Sequence, residues 1–221
     1  GGRVDFAFGA PVQDVVHDGS GFRVRYNSLN ANAPKLVIAT GGPSIPQMGA
    51  SSLAYDVARQ FGLKVVEPRP ALVPLTLGGD DVLFRELSGV SADVVAKHGK
   101  TAFREAALFT HRGLSGPAIL QISSYWRPGD RIGIDFLPGE DAPALLLAAK
   151  KANPRATIRS TLDKYLSARL AEALAGRLNL VGNLADQSDR KLADAGAQLN
   201  QWVFNPNGSE GFAKAEVTVG G

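Results

Sequence analysis

The chain has 221 residues, 44% of them hydrophobic and 20% charged, enough for one large domain or two small ones. Its 24 basic residues are scattered among 21 acidic ones and leave a formal charge of +3, which gives no clustered basic face for a nucleic-acid partner. There is no cysteine, which excludes disulfides, thiolate metal sites and cysteine nucleophiles, and no apolar run is long enough to cross a bilayer.

The first elements read as β. Val4 to Phe8 alternates polar and apolar residues and is expected to be a strand. Val12–Val16 and Phe22–Tyr26 flank Asp18-Gly19-Ser20-Gly21, a sequence that closes hairpins. A short apolar strand, Leu36 to Ala39, then stops at Thr40-Gly41-Gly42. Two glycines without a Cβ let the backbone turn sharply and let something flat or charged approach it. A parallel α/β sheet presents main chain to a nucleotide in this way. The Gly-x-Gly-x-x-Gly that usually accompanies such a strand is absent. A helix is expected from about Ser51 to Phe61, capped by Ser51 or Ser52 and ended by Gly62.

Glu67 to Leu75 carries three prolines and favours extended chain. Strands are expected at Ser91–Lys97, Ala102–Leu108 and Arg131–Leu137, with one short helix over Ser115–Ser124. From about Ala142 to Gln201 the pattern is helical. Its clearest stripe runs from Ile158 to Leu178 after a start at Asn153-Pro154, and Ser188 caps a last helix. Ala213 to Val219 alternates as a closing strand.

Three stretches carry a resemblance: Ala39-Thr40-Gly41-Gly42, Pro70 to Leu75, and Thr110-His111-Arg112-Gly113-Leu114-Ser115-Gly116-Pro117, with the tail Ala215 to Gly221 beside them. On these the chain resembles the bacterial BaiN/YhiN-type flavoproteins, also called aminoacetone oxidase-like NAD(P)/FAD-dependent oxidoreductases. The resemblance implies an α+β chain. Residues 1–66 would be part of a glutathione-reductase-like FAD-binding domain. Residues 67–212 would be an insert with a β-barrel-like lobe (about 67–138) and a helical lobe (about 139–203), and 213–221 a strand returning to the FAD domain. It further implies an internal fragment of an FAD-dependent oxidoreductase whose insert covers the flavin and shapes access for a small-molecule substrate. NAD(P)H would be the candidate electron donor. The chain alone would be inactive and without its cofactor, and its partner would be the remainder of the FAD domain.

By the resemblance, Ala39, Thr40, Gly41 and Gly42 are backbone contacts to FAD. Val12 takes the position whose backbone meets the adenine ring. For the glycines the other reading is a tight turn before a helix; for Val12 it is a plain apolar strand position. His111, Arg112 and Ser115 are substrate-pocket candidates. Ser115 can cap the following helix, and a helix start beside a histidine and an arginine favours an anion. The other reading of His111 is a residue that orders its own loop. His17 and His98 read as solvent-facing, Trp126 and Trp202 as core, and Arg69 as a surface arginine. Asp80-Asp81 and Glu140-Asp141 read as loop charges. The histidines match no zinc spacing, and Ser115 lacks the Gly-x-Ser-x-Gly of a nucleophile elbow. No membrane and no nucleic acid are expected, and a cysteine-free chain fits the cytoplasm. The rival function is a binding module or a structural cap with no redox role.

Overall fold

The computed structural model describes residues 4–221. Asp18 sets its first element. Its Oδ1 accepts from the Ser20 N–H (3.0 Å), the Ser20 hydroxyl (2.6 Å) and the Gly21 N–H (3.2 Å), while Gly19 takes a φ of 94°. That turn joins β1 (Val12–His17) to β2 (Phe22–Tyr26) as the sequence suggests. Asn27, at φ 51°, then returns the chain into β3 (Leu29–Ala33), which pairs with β2 along its length. Helix α1 (Leu53–Gln60) closes one side of this small sheet. Gln60 Nε2 donates to the Val15 carbonyl at 2.7 Å, and Phe61 meets Phe22 edge-on with centroids 5.9 Å apart. Gly62, at φ 71°, follows the helix end.

Two expected strands do not form. Val4–Phe8 and Leu36–Ala39 lie outside any ladder. A strand exists through its hydrogen-bonded neighbour, and neither segment meets one here. Val37 is 83% exposed and Phe8 90%. Before residue 67 the described residues form the three-stranded antiparallel sheet, a short 3-10 turn and α1, and no glutathione-reductase-like domain is shown.

The second body is a curled sheet. Its strands are β5 (Leu75–Leu77), β6 (Ser91–His98), β7 (Thr101–Phe109), β8 (Gly113–Ser115), β9 (Ile132–Asp135), β10 (Trp202–Phe204) and β11 (Pro206–Ser209). They are ordered β10-β9-β6-β7-β8-β5-β11, and every pairing is antiparallel. Six reversals across the sheet leave β10 and β11, its two edges, running the same way. Asn205 alone separates them in sequence. One extended passage therefore leaves one edge at Phe204 and joins the other at Pro206, which curls the sheet into a barrel-like lobe. A 3-10 run, Gly79–Leu87, supplies the plug. Phe84 stacks on Phe109 at 5.9 Å and takes Trp202 and Phe204 edge-on at 5.8 and 4.9 Å. Each such buried ring contributes on the order of 2 kcal/mol. Asp81, in the same run, is buried at 5% exposure, and its carboxylate accepts the Asn205 N–H at 2.9 Å. It is not a loop charge: it pins the barrel where its two edges meet.

Helix α2 (Pro117–Ser123) lies on β7, inside the interval expected for it. The glycines of the Gly113-Leu114-Ser115-Gly116 stretch have packing reasons. A Cβ on Gly113 would stand 2.3 Å from the Leu75 carbonyl oxygen, and one on Gly116 2.8 Å from the Ala106 carbonyl oxygen.

Between β9 and β10 the chain makes the helical lobe: α3 (Ala142–Ala152), α4 (Ile158–Leu162), α5 (Ala168–Arg177) and α6 (Asp189–Asn200). Asp141 caps α3 by accepting the Ala144 N–H at 3.0 Å, Thr157 and Ser160 form a capping box on α4, and Ser188 caps α6. Asp141 is thus a cap and not a free loop charge. Asn153, expected to start a helix, ends α3 instead, and the long stripe from Ile158 breaks between Leu162 and Ala168. The stripe persists across the break because Leu162, Leu166 and Leu170 all reach one core. Trp126 and Trp202 are buried in it, as expected.

The closing strand is shorter than its alternation suggests. Only β12 (Val217–Val219) forms, paired antiparallel with β4 (Arg69–Ala71). No helix among the described residues is long and apolar enough to cross a membrane.

Candidate functional site

The two passages between the small sheet and the barrel lie against each other. Ser44 Oγ and Thr218 Oγ1 share a hydrogen bond of 2.7 Å, and the Ile45 N–H donates to the Phe212 carbonyl at 2.9 Å. Val66 and Gly221 exchange main-chain bonds of 3.1 and 2.8 Å. The glycine pair sits at this junction, and its two members differ. Gly41 is left-handed, at φ 68°, and a Cβ built on it meets nothing within 4 Å. Gly42 is closed over: its Cβ would fall 2.6 Å from Thr218 Cβ and 2.7 Å from the Tyr55 hydroxyl. Gly41 fits an open ledge of main chain; Gly42 is glycine because Tyr55 and Thr218 stand over it. Ala39 and Thr40 are exposed and belong to no ladder, so their N–H and C=O groups are free to meet a flat or charged group. Residues 39–41 are thus bare, accessible backbone. Val12 is at the outer end of β1, opposite Tyr26 and 38% exposed.

The loop after β7 is ordered by Thr110. Its hydroxyl accepts from the Arg112 and Gly113 N–H groups at 3.2 and 3.0 Å, and its own N–H donates to the Gly113 carbonyl at 2.7 Å. His111 is left exposed, so the ordering role weighed for it belongs to its neighbour. Arg112 Nη1 pairs with Glu210 Oε2 at 3.3 Å. Ser115 is on β8 opposite Leu108, and the residue that starts α2 is Gly116. The expected serine cap is therefore absent. The helix has only seven residues and Pro117 removes one of its first donors, so no anion site stands at its start. The loop from Ser209 to Ala215 links the two regions: Glu210 holds Arg112, and Phe212 holds Ile45.

Other assignments shift. Arg69 is half-buried, and burial first, the Arg127 guanidinium second, push its pKa down. His98 is not simply solvent-facing: Nδ1 meets the Arg131 carbonyl at 3.1 Å and Nε2 lies 3.3 Å from Asp130 Oδ2. His17 is exposed as expected, and its Nδ1 accepts the Gly19 N–H. Sequence reasoning missed a polar cleft of about 320 Å³ lined by Thr76, Arg85, Arg112 and Asn207. It also missed a groove of about 650 Å³ between the 3-10 run and α5, with Leu83, Ala173 and Arg177 in its walls. Neither has a local signal, since each is assembled from elements far apart in the chain. Among the described residues no cluster of His, Asp and Glu could hold a metal ion.

Comparison with known proteins agrees with the two-lobed architecture. Residues 69–217 match the family described as "HI0933-like protein barrel and H2TH domain". The chain is 43% identical, over its whole length and 56% of the relative, to a protein of Escherichia coli (strain K12) named "Ribosomal RNA dihydrouridine synthase". It is 37% identical to the protein of that name from Haemophilus influenzae, over 90% of this chain and 50% of the relative. A "3-dehydro-bile acid delta(4,6)-reductase" of Clostridium scindens is 25% identical over 99% of the chain and 57% of the relative. The chain thus spans about half the length of the curated relatives it matches. With residues 69–217 folded as a curled barrel carrying a helical lobe, and with that stretch matched throughout, the chain belongs to the family of the HI0933-like barrel and H2TH domain.

Proposed function

We propose that this chain is the middle part of an FAD-dependent reductase that saturates a uracil ring in ribosomal RNA, its barrel and helical lobe forming the substrate side. The observation that carries the reading is the open main-chain ledge at Gly41, set beside β12 where the chain returns from the barrel. The 43% identity to a protein named for dihydrouridine synthesis supports the choice of substrate. This replaces the expectation of no nucleic-acid partner, which rested only on the scatter of basic residues.

Saturating the C5–C6 double bond of uracil takes one hydride and one proton. Reduced FAD, when bound, supplies the hydride, with NAD(P)H as the donor that re-reduces it. Ala39, Thr40 and Gly41 would hold the cofactor through bare main chain, and Tyr55 and Thr218, which both stand over Gly42, would back that ledge. The barrel would cover the flavin and orient the uracil ring. His111, exposed on the loop that Thr110 orders, would deliver the proton, and Arg112 beside it would hold negative charge of the substrate. Ser115 of β8, paired with Leu108 of β7, would line the substrate side.

The test is the full-length enzyme and its Gly41→Val variant. The wild type should purify with the visible absorbance of bound flavin and should introduce dihydrouridine into ribosomal RNA from cells lacking the gene. Gly41→Val should lose the flavin. A fully loaded Gly41→Val protein would overturn the ledge. A flavin-loaded wild type that leaves ribosomal RNA unchanged would overturn the substrate. A colourless wild type holding another ligand would favour the binding module.

A further inference from the structure

We propose that the cleft lined by Thr76, Arg85, Arg112 and Asn207 binds a phosphate group of the substrate RNA backbone; this rests on the RNA reading above. The four residues come from β5, the 3-10 run, the Thr110–Gly113 turn and β11, which the curl of the barrel brings to one opening of about 320 Å³.

The cleft is rich in donors. Arg85 reaches the Leu77 carbonyl through Nη2, while its Nε is buried and has no hydrogen-bond partner. A buried N–H without an acceptor marks a group waiting for one. The Thr76 hydroxyl donates to Asn207 Oδ1 at 2.7 Å, which fixes the amide so that its NH2 remains to donate. That amide packs over Gly78, where a Cβ would fall 2.4 Å from Asn207 Nδ2, so the glycine makes room for it. Arg112 has a single 3.3 Å contact to Glu210 and is 55% exposed, which leaves its other N–H groups available. Glu210 is the carboxylate paired with Arg112, and it offsets one of the two guanidinium charges. Two guanidiniums, one of them with its Nε–H orphaned, and a primary amide against one carboxylate suit an oxyanion with several acceptor oxygens. His111, the proposed proton donor, is the residue before Arg112 on the same Thr110–Gly113 turn.

The experiment measures single-stranded ribosomal RNA oligonucleotide binding by the full-length, flavin-loaded enzyme across a salt series. Arg112→Gln and Asn207→Ala should weaken binding about 5- to 10-fold at fixed salt. Arg112→Gln should also reduce the slope of log affinity against log salt by about 0.7, one single-strand phosphate contact. Arg112→Lys should recover most of the loss. Glu210→Gln should bind more tightly than wild type, an effect that a purely structural role for the pair would not give. Inorganic phosphate should compete for the oligonucleotide in the wild type and less in Arg112→Gln. Wild-type affinity and slope in both weakening variants would overturn the site, as would a loss confined to the KM for NADPH, which would assign the phosphate to the dinucleotide. Dihydrouridine formation by the wild type is scored separately. If it is present while the variants bind normally, this site fails and the reading stands. If it is absent while the variants lose oligonucleotide binding, the reading fails and the site stands.

Discussion

The same substitution at two helical glycines should move stability in opposite directions. Gly196 lies in α6 where the helix crosses the first turn of α3, and a Cβ there would stand 2.3 Å from the Pro143 nitrogen and 2.5 Å from its Cα. Those are main-chain atoms, which cannot swing aside as a long side chain would. Replacing a mid-helix glycine by alanine gains about 1 kcal/mol in propensity. Overpacking a rigid contact costs about 1–3 kcal/mol, and the upper end applies where backbone is struck. The balance for Gly196→Ala is a loss of about 2 kcal/mol. Gly176, near the end of α5, has open space on the same test, so Gly176→Ala keeps only the propensity term, about 0.5 kcal/mol in a last turn. At about 2–4 °C per kcal/mol for a chain of this size, calorimetry should show Gly196→Ala melting about 4–8 °C below wild type and Gly176→Ala about 1–2 °C above it. A Gly196→Ala protein that melts at or above wild type would refute the close α3–α6 contact and the register of the helical lobe with it.

Asp81→Ala should destabilise the protein by about 1–3 kcal/mol in denaturant titration, because the Asn205 N–H at the barrel seam loses its acceptor, and Asp81→Asn should cost less because one oxygen remains. The Asp18 carboxyl is lowered to about 2, chiefly by the Ser20 hydroxyl and then by the Ser20 and Gly21 N–H groups. A depressed carboxyl stabilises above its unfolded value of about 3.9 and loses that contribution as pH falls through the folded one. The β1–β2 turn should therefore hold at neutral pH and loosen on acidification between about pH 4 and 2, read as the titration of Asp18 by carboxyl NMR; a midpoint near the unfolded value would contradict the turn geometry. Flavin loss in Gly41→Val and weakened oligonucleotide binding in Arg112→Gln, described above, complete the set.

Local chemistry was readable where one segment decides its own structure. Asp18-Gly19-Ser20-Gly21 carries its own hydrogen bonds, and Ser188 caps its own helix, so both stand in the structure where the sequence puts them. The β6–β7 ribbon follows from two alternating runs joined at Gly99. What failed depends on partners. Leu36–Ala39 has the composition of a buried strand and no neighbouring strand here, whereas Leu29–Ala33, exposed throughout and two of its five residues asparagine, pairs because β2 lies beside it. The break between α4 and α5 is invisible in periodicity because Leu162, Leu166 and Leu170 face one core on both sides of it. At the candidate site, the Thr110–Gly116 stretch drew attention through His111 and Arg112. Thr76, Arg85 and Asn207 join Arg112 only after the sheet has curled, and no spacing in the chain announces that.

The neck of the helical lobe has a consequence for how such a protein can change. The chain departs after β9 and comes back before β10, and these are neighbours: the Phe136 N–H donates to the Leu199 carbonyl at 3.0 Å. Asn200 ties the exit to the entrance, donating to Asp135 and accepting from the Ala142 N–H. Four helices are thus mounted on what is, topologically, a hairpin bend. Their exchange for another appendage would leave the ring of strands intact, and a lineage could swap the surface offered to a new ligand without rebuilding the machine beneath it.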